Sequence, residues 1–179
     1  MLQMDERVVV ARAAGGDANA FATLVRAHQG RVRAFLLRLS SGNHALADDL
    51  AQETFLEAFR KLAQYRGEGS FGGWLYRIAY SRFLMDRRTR KETTAEVDLE
   101  QSAASEPGNM ARLDLTRAMA SLSAGERAAL TLCYALGHSN EEAAEILSLP
   151  LGTVKSHVLR GKEKLQNLLG AWRSNEVQA

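Results

Sequence analysis

The sequence has little cysteine, little proline and no long apolar run, and each shortage excludes a class of protein. One cysteine among 179 residues, Cys133, excludes an internal disulfide and a cysteine-cluster metal site. No apolar stretch approaches the roughly eighteen residues needed to cross a bilayer, so we predict no membrane insertion. The first residues, MLQMDERVVVARAAGGD, lack the apolar core of a secretory signal. These features fit a reducing compartment, and we expect the cytoplasm.

What the sequence does contain is typical of helix. Two prolines, frequent Ala, Leu, Arg and Glu, and no run of alternating β-branched residues predict an all-α fold. Capping residues mark the expected helix starts, at Asp17, Asn43, Ser70, Ser123 and Ser139. The first of these helices is expected to end near Gly30, and a second to follow it to Leu39. The Asn43 helix is expected to reach about Leu62, with its apolar residues at Leu46, Leu50, Phe55, Phe59 and Leu62.

The middle of the chain changes in character. Residues 93–109, TTAEVDLEQSAASEPGN, contain no Lys or Arg and show no apolar periodicity, which is typical of a linker. Seventeen residues span about 55–60 Å when fully extended. We therefore predict two small helical domains, at 1–92 and 113–179, joined by an acidic linker at 93–112, which lets the domains bind sites far apart.

The last two predicted helices have the pattern of a helix-turn-helix. A short helix ends at Leu147, the turn Ser148-Leu149-Pro150 follows, and a longer basic helix continues toward Leu169. The predicted inward positions are Ala143, Ala144, Ile146, Val154, Val158 and Leu165. The opposite face carries Lys155, Ser156, Leu159, Arg160 and Lys164, residue types that bind phosphates and base edges. A solvated basic face on an ordinary helical bundle is the alternative interpretation of this pattern.

The long helix after Asn43 carries a row of acidic residues. Asp49, Glu53 and Glu57 lie four residues apart, with Asp48 and Gln52 beside them. Like charges at this spacing cost about 0.2–0.5 kcal/mol per pair in an isolated helix. Either basic neighbours within the fold neutralise this acidic row, or it is a docking face for a basic partner.

A basic segment with interleaved aromatic residues follows. Residues 74–92 have a net charge of +4. Tyr76, Tyr80 and Phe83 recur in this segment at helical spacing. Basic side chains contact phosphates and aromatic rings stack on unpaired bases, so the combination suits melted or single-stranded DNA. Trp74 and Phe83 also fit a purely structural role, and we place Trp74 in the core.

Three sequence blocks in this order resemble the extracytoplasmic-function (ECF, group IV) sigma factors of bacterial RNA polymerase, in the sigma-70 family. The blocks are DDLAQETFLEAFRKL, YRGEGSFGGWLYRIAYSRFLMDRRTRK and LGTVKSHVLRGKEKL, and the resemblance covers residues 8–91 and 113–169. It implies a sigma-2-like helical bundle that docks on polymerase and reads the −10 element, and a sigma-4-like helix-turn-helix that reads the −35 element. It implies no catalytic activity and no cofactor.

The resemblance also implies roles for individual residues. Binding to the β′ clamp helices of core polymerase falls to Asp48, Asp49, Gln52, Glu53 and Glu57. Contact with the −10 element falls to Arg77, Tyr80, Ser81, Met85, Arg87 and Arg88. Contact with the −35 element falls to Thr153, Lys155, Ser156, His157, Leu159, Arg160 and Lys164. The further implied partners are the polymerase β flap and an anti-sigma factor. Family members often have Asn where this chain has Ser81, so no promoter sequence is predicted.

A second function remains open at this stage, a stand-alone helix-turn-helix regulator whose first half senses a signal or dimerises. The residues do not favour an enzyme. The four histidines are scattered without partners at metal-ligand spacing, and the glycines near Gly67 match no phosphate-binding loop. Cys133 lies in an apolar run and is predicted to be a buried structural thiol. The formal net charge of +2 is thus an average over oppositely charged segments.

Overall fold

The computed structural model describes residues 5–93 and 110–176, with side chains over 5–92 and 115–168. The described residues form helices and turns, without a β-strand, which confirms the predicted all-α fold. The N-terminal half contains α1 (Glu6–Ala14), α2 (Ala18–Leu39), α3 (His44–Lys61), a 3-10 turn (Leu62–Gln64) and α4 (Phe71–Thr93). The C-terminal half contains α5 (Met110–Ala120), α6 (Ala124–Leu130), a π-helical turn (Thr131–Ala135), α7 (Asn140–Leu147) and α8 (Leu151–Glu176). Positions 94–109 of the predicted linker lie outside the described residues.

The predicted capping residues begin the helices as expected. Asp17 accepts hydrogen bonds from the backbone of Asn19 and Ala20, and Asn43 accepts one from Leu46. Ser123 and Ser139 each form a complete capping box with the glutamate three residues later. Each cap satisfies amide groups that the first helical turn leaves without a partner.

The predicted break at Gly30 is wrong, because α2 runs without interruption from Ala18 to Leu39. A glycine inside a helix costs about 1 kcal/mol relative to alanine. The buried residues on either side of Gly30, Leu24 before it and Val32 and Phe35 after it, outweigh that cost because they pack into one core. Packing of the continuous apolar face therefore decides the helix length.

The predicted apolar face of α3 is also wrong in part. The helix buries a row in which only Leu50 is large, namely Ala47, Leu50, Thr54 and Ala58. Phe55 is only half-buried and Phe59 is 55% exposed, since both lie toward the edge that α3 presents to solvent. Small side chains on the inner face let α3 approach α2 and α4 closely, and the larger apolar residues are left at the surface.

The helix-turn-helix forms as predicted, with α7 ending at Leu147. Ser148 adopts a left-handed conformation (φ 53°) in the turn before α8. Ala143, Ile146 and Val154 are buried between α7 and α8. Glycine lets α8 approach α6 closely, because a Cβ at Gly161 would lie 2.7 Å from Cδ1 of Leu130.

We expect Gly161→Ala to lower the free energy of unfolding by about 1–3 kcal/mol, since the added methyl group overpacks the contact between α6 and α8. Chemical denaturation followed by circular dichroism measures the change. Gly152→Ala is the matched control, because the same substitution on α8 meets no atom within 4 Å. Equal stability of the two variants would contradict the predicted overpacking.

Candidate polymerase and nucleic-acid interfaces

The acidic row on α3 divides into paired and unpaired members. Asp48 accepts hydrogen bonds from the guanidinium of Arg33, one of them 3.2 Å from Nη2, and this contact lowers the pKa of Asp48. Burial raises the pKa of Glu57, but hydrogen bonds from Lys61 and Arg82 outweigh it, so the pKa lies below its ordinary value. Basic neighbours thus neutralise both ends of the row. The ion pair of Asp48 with Arg33 links α3 to α2, and the ion pair of Glu57 with Arg82 links α3 to α4.

The centre of the row stays exposed. Asp49 makes no ion pair among the described residues, and Glu53 lies 3.9 Å from Nη1 of Arg82. Gln52 lies between them and is also exposed. Because Asp49, Gln52, Glu53 and Leu56 follow helical spacing, they form one surface of α3.

An apolar groove adjoins these polar residues, and the sequence interpretation missed it. The groove has a volume of about 420 Å³ and is lined by Phe21, Gln52, Phe55, Leu56 and Phe59. Phe21 and Phe59 meet edge to face, with ring centroids 5.0 Å apart. We name Asp49, Gln52, Glu53, Leu56 and Phe59 the docking face. The sequence did contain a signal for this groove, since α3 carries more large apolar residues than a single buried stripe of the helix can hold.

Ion pairs within the fold neutralise part of the positive charge on the basic segment of α4. Arg82 binds Glu57, Arg88 binds Glu92 at 3.1 Å and Arg90 binds Asp86 at 2.8 Å. Among the described residues, Arg77 and Arg87 make no ion pair with a carboxylate. Arg87 lies over the ring of Phe83 at 5.8 Å. The positive charge available to a nucleic acid is therefore smaller than the count of arginines indicates.

Five α4 residues, one of them the ion-paired Arg88, form one exposed stripe. It comprises Arg77, Ser81, Leu84, Met85 and Arg88, which follow one another at helical spacing. Leu84 was not predicted from the sequence, although its spacing from Ser81 and Arg88 places it on the same face. Tyr80 was predicted to contact DNA, and the structure places its ring in the apolar core, 7% exposed. Trp74 packs against the core beside Phe71 and Tyr65.

The α8 residues predicted to contact the −35 element fall into two groups. Lys155, Ser156, Leu159 and Arg160 are exposed on the outer face, and Thr153 lies half-buried one turn earlier. His157 and Lys164 instead turn toward α6. A Cβ at Gly125 would lie 2.7 Å from Nε2 of His157, so this glycine makes room for the ring.

Lys164 binds Glu126 of α6, a carboxylate whose side chain is 4% exposed. The distances from its ammonium group to the two carboxylate oxygens are 2.9 and 3.0 Å. Burial raises the pKa of Glu126, but the Lys164 hydrogen bonds and the Ser123 amide outweigh it, so the pKa is lowered. This ion pair aligns α8 on α6, which positions the exposed face of α8.

We expect Glu126→Gln to lower the free energy of unfolding by about 1–2 kcal/mol at neutral pH, since a charge-assisted hydrogen bond is lost while glutamine keeps its capping geometry. A lowered folded-state pKa means that this stabilisation is complete above the unfolded pKa of about 4.3 and is lost as the pH falls through the folded pKa. Denaturation at pH 7 and at pH 3 measures the difference between the two proteins. A difference of the same size at both values would contradict the assigned role.

Neither a metal site nor a membrane span is found in the described part of the chain. Over residues 5–93 and 110–176, no helix has both the length and the hydropathy that a bilayer crossing requires. No group of three His, Cys, Asp or Glu side chains there lies close enough to hold a metal ion. Cys133 is half-buried, with Sγ 3.6 Å from Oδ1 of Asn140, and burial raises its thiol pKa.

Comparison with known proteins identifies the family. The model of Sigma-70 region 2 matches residues 24–93, and that of Sigma-70, region 4, matches residues 112–165. The ECF RNA polymerase sigma-E factor of Escherichia coli K12 is 33% identical over 183 residues, which cover 92% of this chain and 94% of that protein. The chain belongs to the ECF RNA polymerase sigma factors.

Other relatives agree. The ECF sigma factor SigE of Mycolicibacterium smegmatis is 38% identical over 166 residues, and the match spans 87% of this chain but 64% of that longer protein. Among solved structures, the sigma factor RpoE in complex with the anti-sigma factor NepR from Bartonella quintana superposes with a TM-score of 0.75. That match has 32% identity and covers 84% of this chain and 96% of that one. CnrH in complex with the cytosolic domain of CnrY gives a TM-score of 0.69 at 30% identity, covering 93% and 97%.

Each of the three surfaces of this sigma factor lies within one of the two matched Sigma-70 regions. The docking face and the α4 stripe lie within the Sigma-70 region 2 match, and the exposed face of α8 begins within the region 4 match. The docking face is acidic, whereas the α4 stripe and the exposed face of α8 are basic, and the three surfaces lie on three separate helices.

Proposed function

We propose that this ECF sigma factor directs core RNA polymerase to specific promoters and helps to open the −10 region, without catalytic activity of its own. The observation that carries the proposal is the exposed face of α8. Lys155, Ser156, Leu159 and Arg160 point outward from the second helix of a capped helix-turn-helix within the Sigma-70 region 4 match. A helix in that position presents its first turns to the major groove, where Arg and Ser bind base edges.

We assign the binding steps by domain. Residues 1–92 form the unit that docks on polymerase and contacts the −10 element, and residues 113–179 form the unit that reads the −35 element, with the acidic linker at 93–112 between them. We further propose that the chain belongs to group IV of the sigma-70 family, and the proposed two-domain organisation supports this. The exposed centre of the docking face supports polymerase binding, since Asp49 makes no ion pair among the described residues and Glu53 is exposed, with one ion-pair contact at 3.9 Å from Arg82.

Strand opening follows from differential binding to paired and unpaired DNA. Arg77 and Arg88 on the α4 stripe attract the phosphates, while Ser81 and Met85 on the same stripe meet the bases. Binding that is stronger to the unpaired strand shifts the equilibrium toward the open form, as in other proteins that unstack bases, and no nucleotide hydrolysis is required.

The proposed partners are the β′ clamp helices and the β flap of core polymerase, promoter DNA, and an anti-sigma factor. The anti-sigma factor is supported by two structural neighbours, which were solved in complex with NepR and with CnrY. The apolar groove beside the docking face provides a surface on which a partner helix buries apolar side chains. No cofactor is proposed, and the place of action is the cytoplasm, where polymerase and chromosome are found.

Transcription from sheared genomic DNA of the source bacterium tests the proposal. We expect purified core polymerase to give discrete RNA 5′ ends only when the chain is added, and the upstream sequences to share two boxes. A gel shift with and without core polymerase distinguishes the stand-alone regulator, which binds duplex DNA tightly without polymerase. Absence of chain-dependent transcripts from any fragment would reject the proposed function.

A further inference from the structure

One row of α8 residues packs against α6, and His157 belongs to it. A Cβ at Gly161, one turn later in the same row, would lie 2.7 Å from Cδ1 of Leu130 on α6. Lys164 continues the row with its hydrogen bonds to Glu126. His157, Gly161 and Lys164 follow one another at helical spacing, so they share one face of α8. Contacts with α6 therefore fix this face on both sides of Gly161.

The ring of His157 lies in a notch that a glycine of α6 provides. A Cβ at Gly125 would lie 2.7 Å from Nε2, 3.0 Å from Cε1 and 3.1 Å from Cδ2 of His157. These three atoms are the edge of the imidazole ring that is farthest from its own backbone, so this edge faces α6. Glycine is a poorer helix former than alanine. Its place within α6 has a structural reason, because a larger residue would displace the ring.

The same orientation of the ring leaves its other nitrogen beside Arg160. Nδ1 of His157 lies 3.4 Å from Nη2 of Arg160, which is one turn later on α8. A guanidinium group only donates hydrogen bonds, so Nδ1 is the acceptor. Nε of Arg160 donates a second long hydrogen bond, also at 3.4 Å, to the carbonyl oxygen of Ser156. The guanidinium group of Arg160 is thus held at two points while the side chain stays exposed.

We propose that His157 is a positioning residue, which holds the guanidinium group of Arg160 in place for a guanine edge in the upstream promoter box and does not touch the DNA itself. The inference rests on the proposed function. Bidentate recognition requires the planar guanidinium group to meet the base edge in one orientation. A free arginine side chain has many rotamers, and ordering it on binding costs affinity. A ring fixed against α6 restricts those rotamers before DNA binds.

The alternative role for His157 is a direct phosphate contact, and the two roles differ in what their loss changes. A phosphate contact carries no sequence information, so its loss weakens binding to all promoter sequences alike. A positioning residue acts through Arg160, so its loss relaxes selectivity only at the base pair that Arg160 reads. The notch at Gly125 favours positioning, because the edge of the ring that would reach a phosphate faces α6.

Transcription by core polymerase from promoters that differ by one base pair in the upstream box tests the proposal. The base pair read by Arg160 is the one at which Arg160→Ala removes selectivity. We expect His157→Ala to lower the preference at that base pair about two- to tenfold and to leave the other positions unchanged. We expect no further change in preference when His157→Ala is added to Arg160→Ala, because the effects of residues that act through one another are not additive.

Two further variants separate positioning from loss of the fold. His157→Asn keeps an acceptor oxygen close to the place of Nδ1, and we expect it to retain most of the preference. Gly125→Ala leaves the histidine in the chain but pushes its ring out of the notch, and we expect it to lower the preference as His157→Ala does.

Matched controls exist for both kinds of substitution. Gly30→Ala adds a methyl group to a helix at a position where no atom lies within 4 Å. His44→Ala removes a similar contact from the N-terminal half, in which Nδ1 lies 3.3 Å from Nη2 of Arg33. We expect both controls to keep the full preference in the upstream box.

A measurement on the free chain tests the contact without promoter DNA. The NMR order parameter of the Arg160 Nε–Hε group reports how far this side chain moves on the ps–ns timescale. We expect His157→Ala and Gly125→Ala to lower it, and His44→Ala to leave it unchanged.

Two results would overturn the inference. One is an equal loss of transcription from all promoters of the set in His157→Ala, which assigns the ring to a phosphate contact. The other is a preference at the Arg160 base pair that His157→Ala leaves unchanged. Failure of the proposed function is distinguishable from both, because the unsubstituted chain then gives no transcripts from any promoter, while the order parameter still reports the contact.

Discussion

Reversing two charges on the docking face, Asp49→Lys with Glu53→Lys, is expected to weaken binding to core RNA polymerase by about a hundredfold. Like charges placed opposite each other in an interface cost several kcal/mol, and about 3 kcal/mol corresponds to that factor. The fold is expected to survive. Asp49 makes no ion pair among the described residues, and Arg82 retains Glu57 when Glu53 is replaced. Fluorescence anisotropy of the labelled chain with increasing core polymerase measures the dissociation constant.

The matched control is Glu68→Lys with Glu145→Lys, which makes the same change in net charge at two exposed positions away from the docking face. We expect the control to bind polymerase within about threefold of the unsubstituted chain, since remote surface charges are screened beyond about 8–10 Å at physiological salt. If both double variants bound polymerase equally well, the assignment of the docking face to polymerase would be wrong.

Replacing Arg160 by alanine is expected to lower transcription from the chain's promoters by about 10- to 100-fold. A bidentate arginine–guanine contact contributes about 1–3 kcal/mol of discrimination in the major groove. Arg160 is exposed, and its guanidinium contacts only its own helix among the described residues, at 3.4 Å from the Ser156 carbonyl oxygen and 3.4 Å from His157 Nδ1. Its removal therefore acts on DNA binding rather than on stability.

Sequencing of RNA 5′ ends from a genomic fragment library measures both the amount and the selectivity of transcription. Lys162→Ala is the control, because it removes one positive charge from the same helix at a residue that lies over the ring of Tyr134 at 5.9 Å. We expect the Arg160 variant to lose the upstream box preference and the Lys162 variant to keep it. Unchanged upstream boxes in the Arg160 variant would remove this residue from base recognition.

The features predicted correctly from the sequence depend on residues close together in the chain. Asp17, Asn43, Ser123 and Ser139 each cap a helix through an amide two or three residues away. The helix-turn-helix is likewise local, since α7, the Ser148 turn and α8 follow one another directly. A local pattern can be predicted from the sequence because the capping side chain and the backbone amide that it binds belong to the same few residues.

The wrong predictions concern packing. The break at Gly30 is absent because residues on both sides of the glycine pack into the same core. The sequence does not show that these residues share one core. The apolar face of α3 was assigned to Phe59 by spacing, yet Ala58 occupies the interior because α3 lies close to its neighbours. The side-chain size that fits at a helix contact depends on the partner helix. The apolar pattern of α3 alone therefore leaves two faces as candidates for the buried one.

The amino-acid sequence alone was enough to predict that the chain is helical, where most helices begin, that its C-terminal half contains a helix-turn-helix, and which family it resembles. The tertiary structure decided which charges remain available to a partner. Asp48 is paired with Arg33, Glu57 with Arg82, and Lys164 with Glu126, whereas Asp49 and Arg160 stay exposed without an ion pair among the described residues. The partners in these three ion pairs lie 15 to 38 residues apart in the sequence, so they become neighbours only when the helices pack.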